Sequence, residues 1–491
     1  MTLIRIRTLA LAGLLAASAA FPFASSARAK EDLAPLLRGC LVRLHVTSQS
    51  YERTEPWKLG SEYTRTYRGV VIEPGVILCK ASAVANQRMI EVSIANSARR
   101  YPATLRHVDK RIGLALVEFD DETLTQELAP VPLGEPVKLD DEFEIYQLGR
   151  DNIPERYDAR VVRAIAGSTG LNLQLKTTCS DTGDGQIALK DGKLVGLLTS
   201  TFTSRQQGTL LSLETIKQYL SDFGDDAYNG RPGPGFWTQQ LLREDLRTYH
   251  GLKEDQHGLA VSRVVPGRTG DGALQADDVI LEIDGYDIDD EGKFVHETHG
   301  RLSSSYLMSG RRYAGDTIKL KVLRKGEVKD VDLELKGQKP GEKRVPDGYA
   351  EGRPQFMVVG GLVLLELTSS SGISRSPGGV ILRRFRDRAN WDSPSKRKRM
   401  IYVDRILQDE SNKGFEQMYH LPIKTINGIA INDFKGVPKA LETPEGAYHV
   451  FRFDGVESDF AIPVADLEAI NKRIAQKYKV TRMRYLSGDE D

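Results

Sequence analysis

Only three cysteines occur among the 491 residues, charge of neither sign is in excess, and no apolar run is long enough to cross a bilayer comfortably. Cys40, Cys79 and Cys179 allow one disulfide at most. None sits in a C-x-x-C pair, and no His/Cys group has zinc spacing, so a disulfide scaffold and a structural zinc site are both excluded. Cys40 and Cys79 fall in neighbouring predicted strands, where they either pair or stay free and buried. Lysine plus arginine number 68 against 68 acidic residues, which gives no ground for a nucleic-acid partner. The one basic cluster, "RRFRDR" with "KRKR" at 383–399, reads as a solvated loop. The run "TLALAGLLAASAA" is too short for a membrane span. No metal or cofactor is expected.

What is present begins with a leader. Arg5 and Arg7 precede that apolar run, and "SARA" ending at Ala29 offers an A-x-A cleavage site, so residues 1–29 read as a signal peptide. Cys40 lies too far past the apolar core for a lipoprotein. The expected location is therefore periplasmic or secreted. Losing the leader removes Arg28 as well and no acid, which leaves the balance near neutral.

Residues 30–228 are rich in short alternating or apolar runs, such as "LVRLHV" (41–46), "GVVIEPGVILCK" (69–80), "GLALVEF" (113–119) and "ARVVRAIA" (159–166). Many short strands at turn-punctuated spacing predict a sandwich or a pair of barrels rather than a parallel sheet. "SLETIKQYL" (212–220) reads as a closing helix with Ser212 or Thr215 near its start. A Gly/Pro/Asp linker follows at 224–235. Beyond it a signature occurs twice: "VILEIDGYDI" (279–288) and "PIKTINGIAI" (422–431), each with Ile before an Asp/Asn-Gly turn. The expected units are a barrel domain at 30–228, one module at 229–337, a linker at 338–354, and a second module at 355–491. The last unit contains a helix at 465–479 and an acidic tail.

The stretch "VSRVVPGRTGDGALQADDVILEIDGYDI" with "TIKLKVLRKGEVKDVDLEL" resembles a PDZ domain of the HtrA/Deg serine proteases. "SSSYLMSGRRYAGD", "TEPWKLGSEYTRTYRGVVI" and "AYHVFRFDG" resemble the plant-type Deg branch, which carries two PDZ domains. The resemblance covers essentially all of the chain after the leader. It implies a mainly β fold: a trypsin-like double β-barrel followed by two PDZ (α+β) domains.

The same resemblance locates a catalytic triad, and here its residues are missing. In "ILCKASAV" the histidine position is Ser82. In "IGLALV" the aspartate position is Gly113. In "SDTGDGQIALKDGKLVGLLTS" (180–200) the nucleophile position is Gly183, with Gln186 where the family has proline. Acyl transfer needs a nucleophile, a base and a group that orients the base. Glycine supplies no nucleophile, and Ser82 takes up no proton at neutral pH. Asp181 and Asp184 in the same loop would oppose a developing oxyanion. A relocated triad would have to draw on His45 or His107 with Ser82, Ser180 or Cys179. "DTGDG" also lacks the acid spacing of a calcium loop.

A PDZ domain adds an extended peptide as a strand beside an open sheet edge and captures its terminal carboxylate in a glycine-containing loop. The expected loop is "PGPGFWTQQ", with Gly235, Phe236 and Trp237. The opposite wall is expected on a helix in "RLSSSYLMSG", with Leu302, Tyr306 and Ser309 at helical spacing. In the second module the candidate loop is "VVGGLVLLEL" (358–367), but the basic insertion at 375–402 departs from the PDZ layout. Two functions follow. One is an exported, non-catalytic protein that binds peptides or unfolded proteins, through free C-termini, in envelope quality control or scaffolding. The alternative is an active HtrA/Deg endopeptidase degrading misfolded envelope proteins. A homo-oligomer is expected from the resemblance alone.

Overall fold

The computed structural model describes residues 33–488 apart from 96, 150, 152, 181–183, 224–227, 234, 338–342, 349–351 and 390–396. The leader therefore lies outside the described residues. Strands β1 (Leu41–Ser48), β2 (Tyr63–Glu73), β3 (Val76–Lys80), β4 (Gln87–Ile94), β5 (Tyr101–Asp109) and β6 (Leu114–Glu118) close into a barrel in the order β1-β2-β3-β6-β5-β4. A second barrel repeats that order as β7-β8-β9-β12-β11-β10. Its strands are β7 (Glu142–Leu148), β8 (Pro154–Gly167), β9 (Gly170–Thr177), β10 (Ile187–Lys190), β11 (Lys193–Phe202) and β12 (Gln207–Ser212).

Strand alternation explains how apolar runs serve two cores at once. Ile77 and Cys79 belong to the interior of the first barrel, whereas Val76 and Leu78 join a layer between the barrels. Ala115 and Val117 divide from Leu114 and Leu116 in the same way. The helix Leu213–Ser221 closes the pair. The Ser212 hydroxyl accepts the Thr215 N–H at 3.3 Å as its N-cap, and Ile216 and Tyr219 enter the layer between the barrels. All three cysteines are free and buried, which settles the pairing question in favour of thiols. Burial pushes the Cys79 thiol up to about 12, and that of Cys40 equally far.

The first module contains β13 (Phe236–Gln240), β14 (Leu259–Val264), β15 (Val279–Ile283), β16 (Tyr286–Asp287), β17 (Lys293–His296), β18 (Gly300–Ser303), β19 (Thr317–Arg324) and β20 (Glu327–Glu334). The second contains β21 (Phe356–Val359), β22 (Leu362–Glu366), β23 (Ile401–Ile406), β24 (Leu421–Ile426), β25 (Ile429–Ala430), β26 (Tyr448–Phe453), β27 (Phe460–Pro463) and β28 (Arg484–Tyr485). Their main sheets correspond: β13-β14-β15-β19-β20 against β22-β23-β24-β26-β27. The repeated signature is a two-residue turn in both. Asp284 and Gly285 have φ of 49° and 84°, and Asn427 and Gly428 have 51° and 73°. Such left-handed pairs match hairpin twist and favour Asp-Gly or Asn-Gly.

The modules are not beads on a string. Barrel-two residues such as Leu171 and Leu173 share one core with Leu302, Tyr306 and Leu307 of the first module. Trp57, on the loop between β1 and β2, is buried in the core of the second module, 6.1 Å centroid to centroid from Phe356. One expectation is corrected here. "RRFRDR" is not loop but part of a helix, Pro377–Arg388, capped by Ser376 and anchored by buried Leu382. Farther along, Arg397 pairs with Asp454 at 2.7 Å and Arg399 with Glu366 at 3.3 Å.

Candidate functional site

The cleft between the barrels is built by two strand ends. After β3 the chain winds through one 3-10 turn, Ala81–Val84, which leaves Ser82 exposed. The Ala81 N–H donates to the Gly113 carbonyl at 2.9 Å, and this bond ties the Ser82 turn to the β5–β6 turn. Gly113 has φ of 87° and donates its own N–H to the Asp109 carbonyl at 2.8 Å. Ser82 and Gly113 thus meet on one cavity of about 410 Å³, with Thr169, Asn172, Thr199 and Leu211 of the second barrel opposite. Gly183 lies outside the described residues; Asp184 and Gly185, which follow it, are described. Asp184 acts electrostatically on Lys80, and a Cβ on Gly185 would meet the Arg68 carbonyl at 3.2 Å.

Neither histidine of the barrels lines this cavity. The His45 ring bonds Ser93 Oγ at 2.8 Å, and His107 bonds the Tyr219 hydroxyl at 3.0 Å within a ring cluster that includes Phe223 and Tyr228. Burial holds both imidazoles below the ordinary histidine pKa. The cations are closer. Lys80 Nζ crosses to the second barrel and donates to the Thr199 carbonyl at 2.8 Å; burial lowers its pKa and Asp184 opposes that shift. Asp184 therefore faces a lysine, and its charge is partly offset. Arg111 donates to the carbonyls of Arg231 and Pro232 at 3.1 and 2.6 Å, which clips the inter-domain linker to the rim of the cleft.

In the first module, β13 pairs with β14 alone, so its other side is an open sheet edge among the described residues. Trp237 is 47% exposed on this strand, and Thr238, Gln239 and Gln240 are exposed. Gly235 is required by close approach: a Cβ there would lie 1.9 Å from the Thr269 carbonyl oxygen. In the second module the corresponding strand, β22, is covered. β21 pairs along it, and β28 pairs along β21. The Gly360 N–H in its glycine loop is already taken by Asn471 Oδ1 at 2.8 Å.

A family profile described as PDZ domain matches residues 345–486. Protease Do-like 2, chloroplastic, of Arabidopsis thaliana is 26% identical over 446 residues, which covers 88% of this chain and 72% of that protein. Protease Do-like 4, mitochondrial, of the same plant is 24% identical over 402 residues, covering 79% and 74%. The chain belongs to the Deg/HtrA family. Its plant-type character fits these relatives. Among solved structures, the HtrA-type protease AlgW with decapeptide superposes with a TM-score of 0.47 at 17% identity, covering 62% of this chain and 98% of that one.

Within this Deg/HtrA chain the sequence-derived site residues fall into two groups. Gly235, Phe236 and Trp237 run into and along the open edge, with Phe236 half-buried against the module core. Leu302 and Tyr306 do not form a helical wall. Leu302 lies on β18 opposite Phe294, and only Tyr306–Gly310 winds. Both side chains are buried, and the Tyr306 hydroxyl donates to Glu214 at 3.0 Å across to the closing helix of the barrels. Because winding is confined to Tyr306–Gly310, Leu302 on its strand falls outside it and the three residues share no helical face. Sequence reasoning passed over Lys80, Lys110 and Arg111. Their signal was proximity, since each lies within three residues of Ser82 or Gly113.

No helix among the described residues is long and apolar enough to cross a membrane, and no group of His, Cys, Asp and Glu there could hold a metal ion.

Proposed function

We propose that this Deg/HtrA protein is an exported, non-hydrolytic peptide-binding member of its family, acting on unfolded or extended chains in envelope quality control or scaffolding. The observation that carries this reading is the lining of the cleft: Ser82 and Gly113 come together there, with no histidine and no acid among the described residues that line it. Without a base and an orienting carboxylate, no hydroxyl in the cleft is activated at neutral pH. Binding is assigned to the first module, where β13 offers backbone groups along an uncharged open edge. The second module serves as a structural brace, since its equivalent strand is already paired.

The test uses the full chain. Peptides with a free apolar C-terminus should bind on the order of micromolar, about −8 kcal/mol. Their C-terminally amidated counterparts should not bind, and the protein should neither cleave casein nor label with a serine-directed fluorophosphonate. Labelling abolished by one serine substitution would establish the alternative, an active endopeptidase. Equal affinity for free and amidated peptides would remove the carboxylate-capturing site.

A further inference from the structure

The dipeptide Asn-Gly occurs twice in the chain, at 229–230 and at 427–428. Asparagine before glycine is prone to deamidation, because no Cβ on the following residue hinders attack by its backbone nitrogen. The two copies sit in opposite surroundings. Asn427 is 7% exposed; its side-chain amide donates to the Ala440 carbonyl at 2.8 Å and its side-chain oxygen accepts the Val450 N–H at 2.7 Å. Asn229 is exposed, on the segment that joins the barrels to the first module. That segment is fastened from both sides. Toward the barrels, Asp222 at the end of the closing helix is buried and accepts three donors: the Asn229 backbone N–H at 3.1 Å, the Asn229 side-chain amide at 3.2 Å and the Gly230 N–H at 2.7 Å. Toward the first module, the Gly230 carbonyl accepts the Ala314 N–H at 3.0 Å, and the Gly233 N–H donates to the Lys336 carbonyl at 2.9 Å. The Arg231 guanidinium donates to the Gly310 carbonyl. Asn229 and Gly230 are therefore the splice between the two units, and one carboxylate holds both of the groups that deamidation would join.

We propose that Asn229–Gly230 is a self-modification site, held latent by Asp222 and released when the linker opens, so that a reversible loosening of the first module becomes permanent. While the Asp222 clasp is closed, the Gly230 nitrogen keeps its proton in a bond to a carboxylate and the Asn229 amide is held beside it. Once the clasp opens, the Gly230 nitrogen attacks the side-chain carbonyl carbon of Asn229. A C–N bond closes a succinimide ring, and the side-chain nitrogen leaves as ammonia with the proton given up by Gly230. Water then opens the ring at one carbonyl to give aspartate, or at the other to give isoaspartate. Both products lack the side-chain donor that Asp222 accepts. Aspartate sets a second negative charge beside Asp222, and like charges at that distance repel. Isoaspartate adds a carbon to the main chain at the splice, which shifts Gly230 off its partners on both sides. The clasp does not re-form, and this holds whether or not the cleft between the barrels hydrolyses peptides.

The experiment ages the full chain at mildly alkaline pH and follows the gain of one mass unit at each Asn-Gly by peptide mapping, with enzymatic methylation to detect isoaspartate. Asn427 is the internal control. In the folded protein Asn229 should convert at least about tenfold faster than Asn427, because local opening is easier than global unfolding; in urea the two should convert alike. Asp222→Ala should speed conversion at Asn229 by about tenfold or more and leave Asn427 unchanged. If that variant unfolds, Asn427 accelerates as well, and a second comparison decides. Asn229→Asp, which is the aspartate product, should raise hydrogen exchange at Gly230, Gly233 and Ala314 about tenfold above Asn229→Ala, which removes the same donor without adding charge. Conversion at Asn229 no faster than at Asn427, no acceleration in a folded Asp222→Ala, or equal exchange in Asn229→Asp and Asn229→Ala would each overturn the proposal.

Discussion

Trp57 joins the two ends of the molecule, and its removal has a calculable effect. The side chain is 3% exposed and lies among residues of the second module although it belongs to a loop of the first barrel. A tryptophan buries roughly 150–250 Å², so at about 25 cal/mol/Å² the contact contributes roughly 4–6 kcal/mol. Its indole Nε1 has no hydrogen-bond partner among the described residues, a loss of about 1–3 kcal/mol. The net is about 3 kcal/mol. The Thr481 hydroxyl bond to the Trp57 carbonyl, at 3.1 Å, survives substitution because it uses backbone. Trp57→Ala should therefore leave both units folded but loosen their junction. Hydrogen exchange is the assay. Amides of β21 and β28 beside the docking site should exchange about a hundredfold faster if their opening breaks this contact. Trp57→Phe keeps a ring against Phe356 and discards the stranded N–H, so it should change stability by about 1 kcal/mol or less. Exchange in Trp57→Ala within about threefold of the unmodified protein would refute the argument that this ring holds the domains together.

Three further outcomes follow. Gly183→Ser alone should not cleave casein, because the base and the group that orients it would still be absent, and Gly113→Asp should lower stability by about 1 kcal/mol, because φ at that position is 87°; casein cleavage by the first variant, or a chemical-denaturation midpoint of the second equal to that of the parent, would contradict this. Burial tends to raise the Glu214 pKa, but His299 and Tyr306 outweigh it and hold the carboxyl below its ordinary value. A depressed carboxylate stabilises above its unfolded pKa and loses that contribution as pH falls through the folded one, so the junction of second barrel and first module should weaken below about pH 4.5. Tyr306→Phe should flatten that loss, and parallel melting curves for the two proteins from pH 7 to pH 3.5 would argue against it. Finally, with Cys40 and Cys79 buried and held near 12, and Cys179 buried as well, no thiol should react with Ellman's reagent at pH 8 until the protein is denatured; prompt release of even one equivalent from the native protein would count against the packing.

The barrels were legible because alternation alone separates Ile77 and Cys79 from Val76 and Leu78, and each set has its own core to enter. β5 was less legible: "YPATLRHVD" carries Pro102, Arg106 and His107, and only its two ends are fully buried. Periodicity says that a side chain is covered but not by what. In the sequence Trp57 stands only within a family-like stretch and Tyr306 reads as a wall of a peptide groove, yet one enters a module several hundred positions away and the other bonds a helix of the barrels. At Gly113 the sequence shows a missing carboxylate. That the turn has also settled into a left-handed conformation is visible only in the backbone. The basic run at 383–388 was misread because charge count obscured one apolar stripe, Leu382 with Phe385, which is enough to seat a helix.

The two outer strands of the first module's sheet are guarded differently, and this bears on which neighbours the sheet can accept. β20 presents Lys329, Asp330, Asp332 and Glu334, a row of charges that repels an approaching strand unless it carries a matching pattern. β13 reads Phe-Trp-Thr-Gln-Gln, carries no charge at all, and is kept to five residues with its register shifted between Trp237 and Thr238. A flat, rigid sheet edge from another folded protein cannot follow that kink over enough length to pair, whereas a flexible chain can bend to it residue by residue. An approaching strand would thus meet charge on one side and, on the other, a short kinked edge that suits a pliable chain better than a stiff one, a sorting by stiffness before any side chain is read.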